Sequence, residues 1–128
     1  MPLITRPLTN NLPIVTAHVG VGLPRREELR NAGLFVPDRV RAELLISTGA
    51  KTSVIDRATL TALGLGEGEA QYDVSLKFSF DQGRPLILDT LPVTVGEFGG
   101  QGYDGIMGRD ALAACVLTIN GGSFTLTF

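Results

Sequence analysis

The chain has 128 residues, of which 44% are hydrophobic and 19% charged, with 16 glycines, one cysteine and a net charge of −2. This length fits a single domain, and the scattered basic residues exclude the footprint of a nucleic-acid-binding protein or a polybasic membrane patch. No apolar run reaches the roughly 18 residues that a membrane-spanning helix needs, and the first residues lack the order of a secretory signal. We therefore expect a soluble, cytoplasmic protein that binds neither nucleic acid nor membrane.

Alternating apolar and polar residues predict a mostly β fold. In Tyr72–Phe80 every second residue is apolar, as in a strand that buries one face. Further strands are predicted at Pro13–Val21, Val40–Ile46, Leu86–Val95, Val116–Ile119 and Phe124–Phe128. The last two strands flank Asn120-Gly121-Gly122, which predicts a tight hairpin because Asn and Gly accept positive φ angles.

Short helices are predicted between some of these strands, at Pro24–Asn31, Arg57–Leu63 and Arg109–Ala114. Gly33 and Gly64 follow the first two helices, where a left-handed closing residue is favoured, and Asp56 is positioned to cap the second. We expect one domain over residues 1–128, in which Leu23–Asp38 is an excursion between two strands. The mixed charges of Arg25–Glu28 are typical of a solvated helix face.

Two segments carry the most specific pattern in the sequence. An apolar strand ends in Ser47-Thr48-Gly49-Ala50, and much later comes Ile106-Met107-Gly108-Arg109-Asp110. Together they resemble the signatures of retropepsin-like aspartic proteases, in which an apolar strand ends in Asp-Thr-Gly-Ala. Later in those chains come two apolar residues and a Gly, often followed by Arg-Asp or Arg-Asn at the start of a helix. The resemblance runs from about Val40 to Phe128 and is to the bacterial, single-domain type. It implies a closed β-barrel with one to three short helices.

Ser47 is the main departure from this pattern, because the family carries its catalytic aspartate at that position. An aspartic protease hydrolyses peptide bonds with two carboxylates, about 3 Å apart, that share one proton. A serine hydroxyl stays protonated near neutral pH and replaces neither carboxylate. The sequence therefore predicts a homologue of aspartic endopeptidases, a hydrolase by lineage, that is inactive as written.

The resemblance also implies roles for the neighbouring residues. Thr48 and Gly49 complete the catalytic turn, and Thr48 is expected to bond across a two-fold axis, which implies a homodimer because one chain carries one such turn. Ala50 and Ile106 are expected to contact an extended peptide or protein segment. Residues expected to support the turn structurally are Met107, Gly108, Arg109 and Asp110. No metal or other cofactor is implied.

Arg109 lacks its usual neighbour. Many retroviral members carry a carboxylate directly after the Ala of the turn, but this chain has Lys51 there. We expect either a rerouted ion pair or a solvated Arg109. The candidate partners are Asp56, Asp104 and Asp110.

The flap is a second departure from the family, in which a glycine-tipped hairpin covers the substrate. Only Gly66–Gln71 connects the end of the second helix to the strand that begins at Tyr72. An extended chain gains about 3.4 Å per residue and a hairpin must also return, so this connection is too short to cover a cleft.

Alternative functions remain at this point. The same groove, left uncovered, could bind an extended segment by strand addition without catalysis, or serve dimerisation alone. A serine nucleophile is a third hypothesis, but the sole imidazole, His18, is far from Ser47 in sequence and no Gly-x-Ser-x-Gly elbow is present. Asp89 lies in Leu-Asp-Thr-Leu, where Leu91 replaces the glycine that the turn requires. Cys115 is expected to be a small buried hydrophobe.

The C-terminal strand alternates apolar and polar residues up to Phe128. We expect it to leave an open edge that pairs with a second copy of the chain.

Overall fold

The structure is a computed structural model that describes residues 2–65, 67–80 and 83–128. Its elements, in chain order, are β1 (Leu3–Pro7), β2 (Ile14–Val21), α1 (Leu23–Asn31), β3 (Val40–Ile46), β4 (Ser53–Asp56), α2 (Arg57–Ala62), β5 (Gln71–Phe78), β6 (Leu86–Gly96), β7 (Gly105–Met107), α3 (Arg109–Leu112), β8 (Val116–Asn120) and β9 (Ser123–Thr127). Within the described residues, six strands close a barrel in the order β2-β3-β7-β4-β6-β5. Strands β1, β9 and β8, in that order, form a second sheet, here called the terminal sheet. The mostly β fold class and the closed barrel are therefore as predicted.

The alternating strands were well predicted because each buries one face in the barrel. In β2, for example, the side chains of Val15, Ala17 and Val19 are almost completely buried, whereas the residues between them are partly exposed. β3 has the same pattern, with Ala42 and Leu44 inside. Burial of such side chains contributes about 1.5–3 kcal/mol each for the larger aliphatic residues, so the alternation fixes both the strand and its orientation.

Strands β1, β4 and β7 were not predicted. Each is three to five residues long and is held by pairing with strands distant in sequence. β7 lies parallel to β3, with Ile106 opposite Leu45, and antiparallel to β4, with Ile106 opposite Val54. A three-residue strand shows no period in a sequence, so its existence depends on the neighbours that it pairs with.

The predicted C-terminal edge was wrong. β9 is the central strand of the terminal sheet, where Thr127 is aligned with Leu3 of β1 on one side and Val116 of β8 on the other. Both of its edges are therefore paired within one chain. The ring of Phe128, just after β9, lies 5.3 Å from that of Phe78, centre to centre.

The glycine signals at the helix ends are confirmed. Gly33 and Gly64 have φ angles of +70° and +77°, and Gly121 in the β8–β9 hairpin has +61°. Asp56 immediately precedes α2, but its carboxylate accepts a hydrogen bond from the main-chain N–H of Phe98 at 3.2 Å instead of capping the helix. No helix in the described part of the chain is long and apolar enough to cross a membrane.

Candidate active site

Ser47 directly follows β3, at the end where β3 and β7 lie side by side. Its main-chain N–H donates to the carbonyl of Met107 at 3.0 Å, and the preceding Ile46 is aligned with Met107. The two segments singled out from the sequence therefore meet at one edge of the barrel. The Ser47 side chain is half-buried, and no hydrogen bond to its Oγ is formed by the residues that the structure describes.

Thr48 and Gly49 form the tip of the turn and are both exposed. The turn closes through the N–H of Ala50, which donates to the carbonyl of Ser47 at 3.4 Å. A Cβ added at Gly49 would find only the Oγ of Ser47 within 4 Å, at 3.9 Å. Packing within this chain therefore does not require glycine at position 49, and the tip faces open space.

Gly108 lies directly against the turn and has no room for a side chain. A Cβ there would stand 2.7 Å from the carbonyl oxygen of Thr52 and 2.9 Å from that of Ala50. The next residue, Arg109, donates its N–H to the same Ala50 carbonyl at 2.8 Å. The junction of β7 and α3 thus supports the turn by main-chain contact, and fully buried Met107 packs into the core next to it.

Asp110 fixes the start of β4 against the start of α3. Its carboxylate accepts hydrogen bonds from the hydroxyl of Ser53 at 2.7 Å and from the N–H of Ser53 at 3.0 Å. It also accepts from the N–H of Ala111 at 2.7 Å, in the first turn of the helix, where a negative charge is favoured. Ser53 Oγ in turn accepts from the N–H of Gly108 at 3.0 Å. The sequence analysis did not single out Ser53. The signal that could have indicated it is the position of this polar residue directly before the apolar pair Val54-Ile55.

The guanidinium of Arg109 is exposed and forms no ion pair with any residue in the described ranges. The carboxylates of the three expected partners are held elsewhere. Asp104 accepts from the N–H of Glu43 at 2.8 Å, and Asp56 and Asp110 accept the main-chain bonds described above. Of the two expectations for Arg109, a rerouted ion pair or a solvated side chain, the single chain therefore shows the solvated side chain.

Ile106 and Ala50, the expected substrate contacts, are each half-buried. Ile106 occupies the middle of β7 between β3 and β4, whereas Ala50 ends the turn. Ile106 immediately precedes Met107, whose carbonyl accepts the hydrogen bond from Ser47, and the N–H of Ala50 donates to the carbonyl of Ser47. Both residues therefore lie near Ser47, and each keeps a part of its surface exposed.

The connection between α2 and β5 remains short. Residues 63–65 and 67–70 contain no strand, and Gly66, which belongs to the predicted connection, lies outside the described residues. The connection is tied down by Tyr72, whose hydroxyl donates to the carbonyl of Glu67 at 2.6 Å and accepts from the N–H of Glu69 at 3.2 Å. The described part of this connection therefore provides no hairpin over the turn.

In the described part of the chain, no side chain forms a hydrogen bond with Ser47 Oγ, so none is in place to activate it as a nucleophile. His18 is aligned with Arg41 on β3, six positions before Ser47, which corresponds to about 20 Å along a strand. Asp89 lies within β6 and is exposed, so it does not form a second catalytic turn. Among residues 2–65, 67–80 and 83–128, no group of three or more His, Cys, Asp or Glu side chains is arranged to hold a metal ion.

Comparison with solved structures identifies this architecture as a retropepsin-like fold. The crystal structure of a retropepsin-like aspartic protease from Rickettsia conorii is similar to this chain with a TM-score of 0.63, over 98% of this chain and 90% of that chain. The two sequences are 15% identical, so the likeness shows the fold and leaves the activity open. No protein-family model and no curated protein matches the chain.

Proposed function

We propose that this chain is a homodimeric homologue of bacterial retropepsin-like aspartic endopeptidases that has lost peptidase activity. The observation that carries the proposal is the position of Ser47, which follows β3 and is bonded to Met107 at the start of the supporting segment. In the family this turn presents the catalytic aspartate. Here it presents a hydroxyl, and none of the described residues forms a hydrogen bond with that hydroxyl as a base would.

The expected loss of activity follows from the chemistry of the aspartate pair. One carboxylate removes a proton from water while the other donates to the substrate carbonyl, so both must be present. Removal of a general acid or base costs about a hundred- to ten-thousand-fold in rate. In a symmetric dimer the replacement by Ser47 occurs in both copies, because both have the same sequence.

The surroundings of Thr48 and Gly49 are consistent with the proposed dimer. The threonine is exposed at the tip of the turn, and Gly49 has open space where a Cβ would stand. Both features fit a surface that another main chain approaches closely. We therefore place the proposed groove between two copies, with Ala50 and Ile106 at its wall and Met107, Gly108 and Asp110 behind it.

A second candidate function is binding of an extended peptide or protein segment without hydrolysis. The short connection between α2 and β5 favours it, because an uncovered groove admits a segment of a folded partner. In this candidate, too, no metal or other cofactor takes part. A cytoplasmic location fits both candidates, because a single cysteine forms no internal disulfide and so does not require an oxidising compartment.

The decisive variant is Ser47→Asp, with Ser47→Asn as the matched control because it has the same size but no acid. Both are assayed with unfolded protein and peptide substrates between pH 4 and 7. We expect the wild type and Ser47→Asn to remain at the blank rate and Ser47→Asp to cleave. Cleavage by the wild type that disappears in Ser47→Ala would contradict the proposal.

Sedimentation over a wide range of protein concentration tests the dimer, with Thr48→Val as the variant. We expect a dimer whose dissociation constant rises in Thr48→Val. A wild type that is monomeric throughout would contradict the inter-chain groove. If Ser47→Asp is dimeric and silent, and extended peptides shift the NMR signals of residues 47–50 in the wild type, the binding function is the correct one.

A further inference from the structure

A second candidate site lies at the opposite end of β3 from Ser47. The side chains of Arg26, Arg30 and Arg39 converge there on a cavity of about 260 Å³, here called the arginine pocket. Its remaining lining residues are Gly20, Val21, Val36, Pro37 and Ile87. β3 spans seven residues, so the pocket lies about 20 Å from the turn at Ser47.

The local structure explains why these side chains meet. Arg26 and Arg30 are four residues apart on α1 and therefore lie on the same helix face. After the helix, the chain reverses through Gly33, with a φ of +70°, and Leu34 donates its N–H to the carbonyl of Leu29 at 2.8 Å. The return segment then delivers Arg39 to the same side of the barrel.

Arg39 is held in place at the base of the pocket. Its Nη1 donates to the carbonyl of His18 at 3.3 Å. A Cβ added at Gly20 would stand 3.0 Å from the same nitrogen, so the glycine leaves the room that the guanidinium occupies. The hydrogen bond restricts the guanidinium, and a side chain that is already restricted loses less entropy when a ligand binds.

Positive charge in the pocket is poorly balanced. The adjacent Arg25 forms an exposed ion pair with Glu28 at 3.3 Å, but in the described part of the chain neither Arg26 nor Arg30 has an ion pair. Burial and the positive charge of Arg26 lower the pKa of Arg39, and the negative charge of Asp89 opposes this effect to a smaller extent. The cluster therefore contains like charges that repel one another in the free protein, and a bound anion would relieve that repulsion.

We propose that the arginine pocket binds a phosphate group, either as free phosphate or as the head of a phosphate monoester. Guanidinium groups present planar forks of N–H donors that match phosphate oxygens, and several of them together favour a dianion over a monoanion. The volume is slightly below that of pockets that enclose a drug-sized ligand, so it suits one small head group. The apolar wall at Val36 and Ile87 provides a surface for the organic part of an ester.

The test uses calorimetric titration at low ionic strength with three probes: inorganic phosphate, phenyl phosphate and benzoate. The key variant is Arg26→Gln, and Arg25→Gln is the matched control because it removes the same charge from the neighbouring helix position outside the pocket. We expect saturable binding of the phosphate probes, with an affinity that falls by at least about tenfold in Arg26→Gln and by less than about twofold in Arg25→Gln.

Three results would overturn the proposal: no saturable binding of either phosphate probe, an equal loss in both variants, or benzoate binding as tight as that of phenyl phosphate. Tighter binding of phenyl phosphate than of inorganic phosphate identifies an ester as the ligand, and equal binding identifies free phosphate. Arg26→Lys provides a second variant that keeps the charge but loses the fork, and we expect it to weaken binding as well.

NMR signals of the arginine Nε–H groups report the site directly. We expect phosphate to shift the signals of Arg26 and Arg39 and to leave that of Arg25 unchanged. Shifts at Arg25 of the same size would contradict a specific site. The inference does not depend on the proposed function, since Ser47→Asn is expected to bind phosphate like the wild type.

Discussion

The two ends of β3 differ in what surrounds the charged side chains near them. At the end that carries Ser47, Gly108 fits against main-chain carbonyls and Asp110 accepts three short hydrogen bonds. At the other end, Arg26 and Arg39 share a pocket with little opposing charge, and Phe35 is 81% exposed. At the first end, hydrogen bonds within the chain balance the charge of Asp110. At the second end, an anion from outside the chain would balance the charge of the arginines. The proposed peptide groove and the proposed phosphate site thus lie at opposite ends of one strand.

The largest expected effect is that of Gly108→Ala at the Ser47 end. The added Cβ would press on the carbonyls of Thr52 and Ala50, which belong to the main chain and move only with the turn. We expect the free energy of unfolding to fall by about 3 kcal/mol in urea denaturation. Gly122→Ala is the control, because a Cβ there has no atom within 4 Å, and its change should remain within about 1 kcal/mol. Equal changes in the two variants would refute the close fit.

Asp110→Ala should have the next largest effect. The substitution leaves the buried hydroxyl and N–H of Ser53 without their acceptor, which costs about 2–3 kcal/mol of unfolding free energy. Glu27→Ala, on the exposed side of α1, removes the same charge with a change within about 0.5 kcal/mol. The combination of Asp110→Ala with Ser53→Ala should cost less than the sum of the two, because they break one network. Strict additivity would show that this network does not exist.

Arg26→Gln should have a smaller effect, of the opposite sign. Removing one of the three like charges at the arginine pocket should raise the unfolding free energy by about 0.5 kcal/mol in low-salt, phosphate-free buffer. Arg25→Gln removes the exposed pair with Glu28 and should lower it by no more than about 0.5 kcal/mol. The difference between them should vanish near 1 M salt, where charges are screened within about 3 Å. A destabilised Arg26→Gln would mean that its charge is already balanced.

The smallest effect concerns Cys115, which follows the helix that carries Asp110. Burial raises the pKa of its thiol, and its Sγ donates to the carbonyl of Leu112 at 3.6 Å. The folded protein therefore keeps this thiol protonated to a higher pH than the unfolded chain does, and the thiolate is the reactive form. Alkylation by iodoacetamide near pH 8 should be slower in the folded protein than in urea, with its pH profile displaced upwards. Equal rates and profiles would contradict the burial.

Sequence patterns predicted the elements that are defined by their own residues. β3 and the turn at Ser47 were readable because an apolar strand and a specific four-residue sequence occur together, and Gly121 marked its hairpin through its conformational freedom. β4 and β7 were not readable, because four- and three-residue strands exist only through pairing with distant partners. The C-terminal strand was recognised, but its place between β1 and β8 is a property of the whole chain.

The candidate sites, like the strands, were predictable where their residues are consecutive and were missed where they depend on residues distant in sequence. The Ser47 turn was found because its residues are consecutive, but Ser53 was missed because its partner Asp110 is 57 residues away. The arginine pocket was missed because Arg25–Glu28 was read as one solvated face. In the structure Arg25 forms an exposed ion pair with Glu28, while Arg26 lines the arginine pocket. Arg25 and Arg26 differ in their surroundings because the chain from Gly33 to Arg39 brings Arg39 to the pocket that Arg26 lines, and Arg25 lies outside that pocket.

The pairing of β1 with β9 has a practical consequence for engineering. Leu3 is aligned with Thr127, and the N–H of Phe128 donates to the carbonyl of Pro2 at 3.0 Å. The start of β1 and the end of β9 therefore lie side by side. A short linker could join them into a continuous ring. New ends could then be opened at Gly99, where no neighbouring atom would meet an added Cβ. Such a circular permutant should form the same barrel, and two fluorescent labels at the new ends, which lie next to each other in the folded protein, would report unfolding as an increase in their separation.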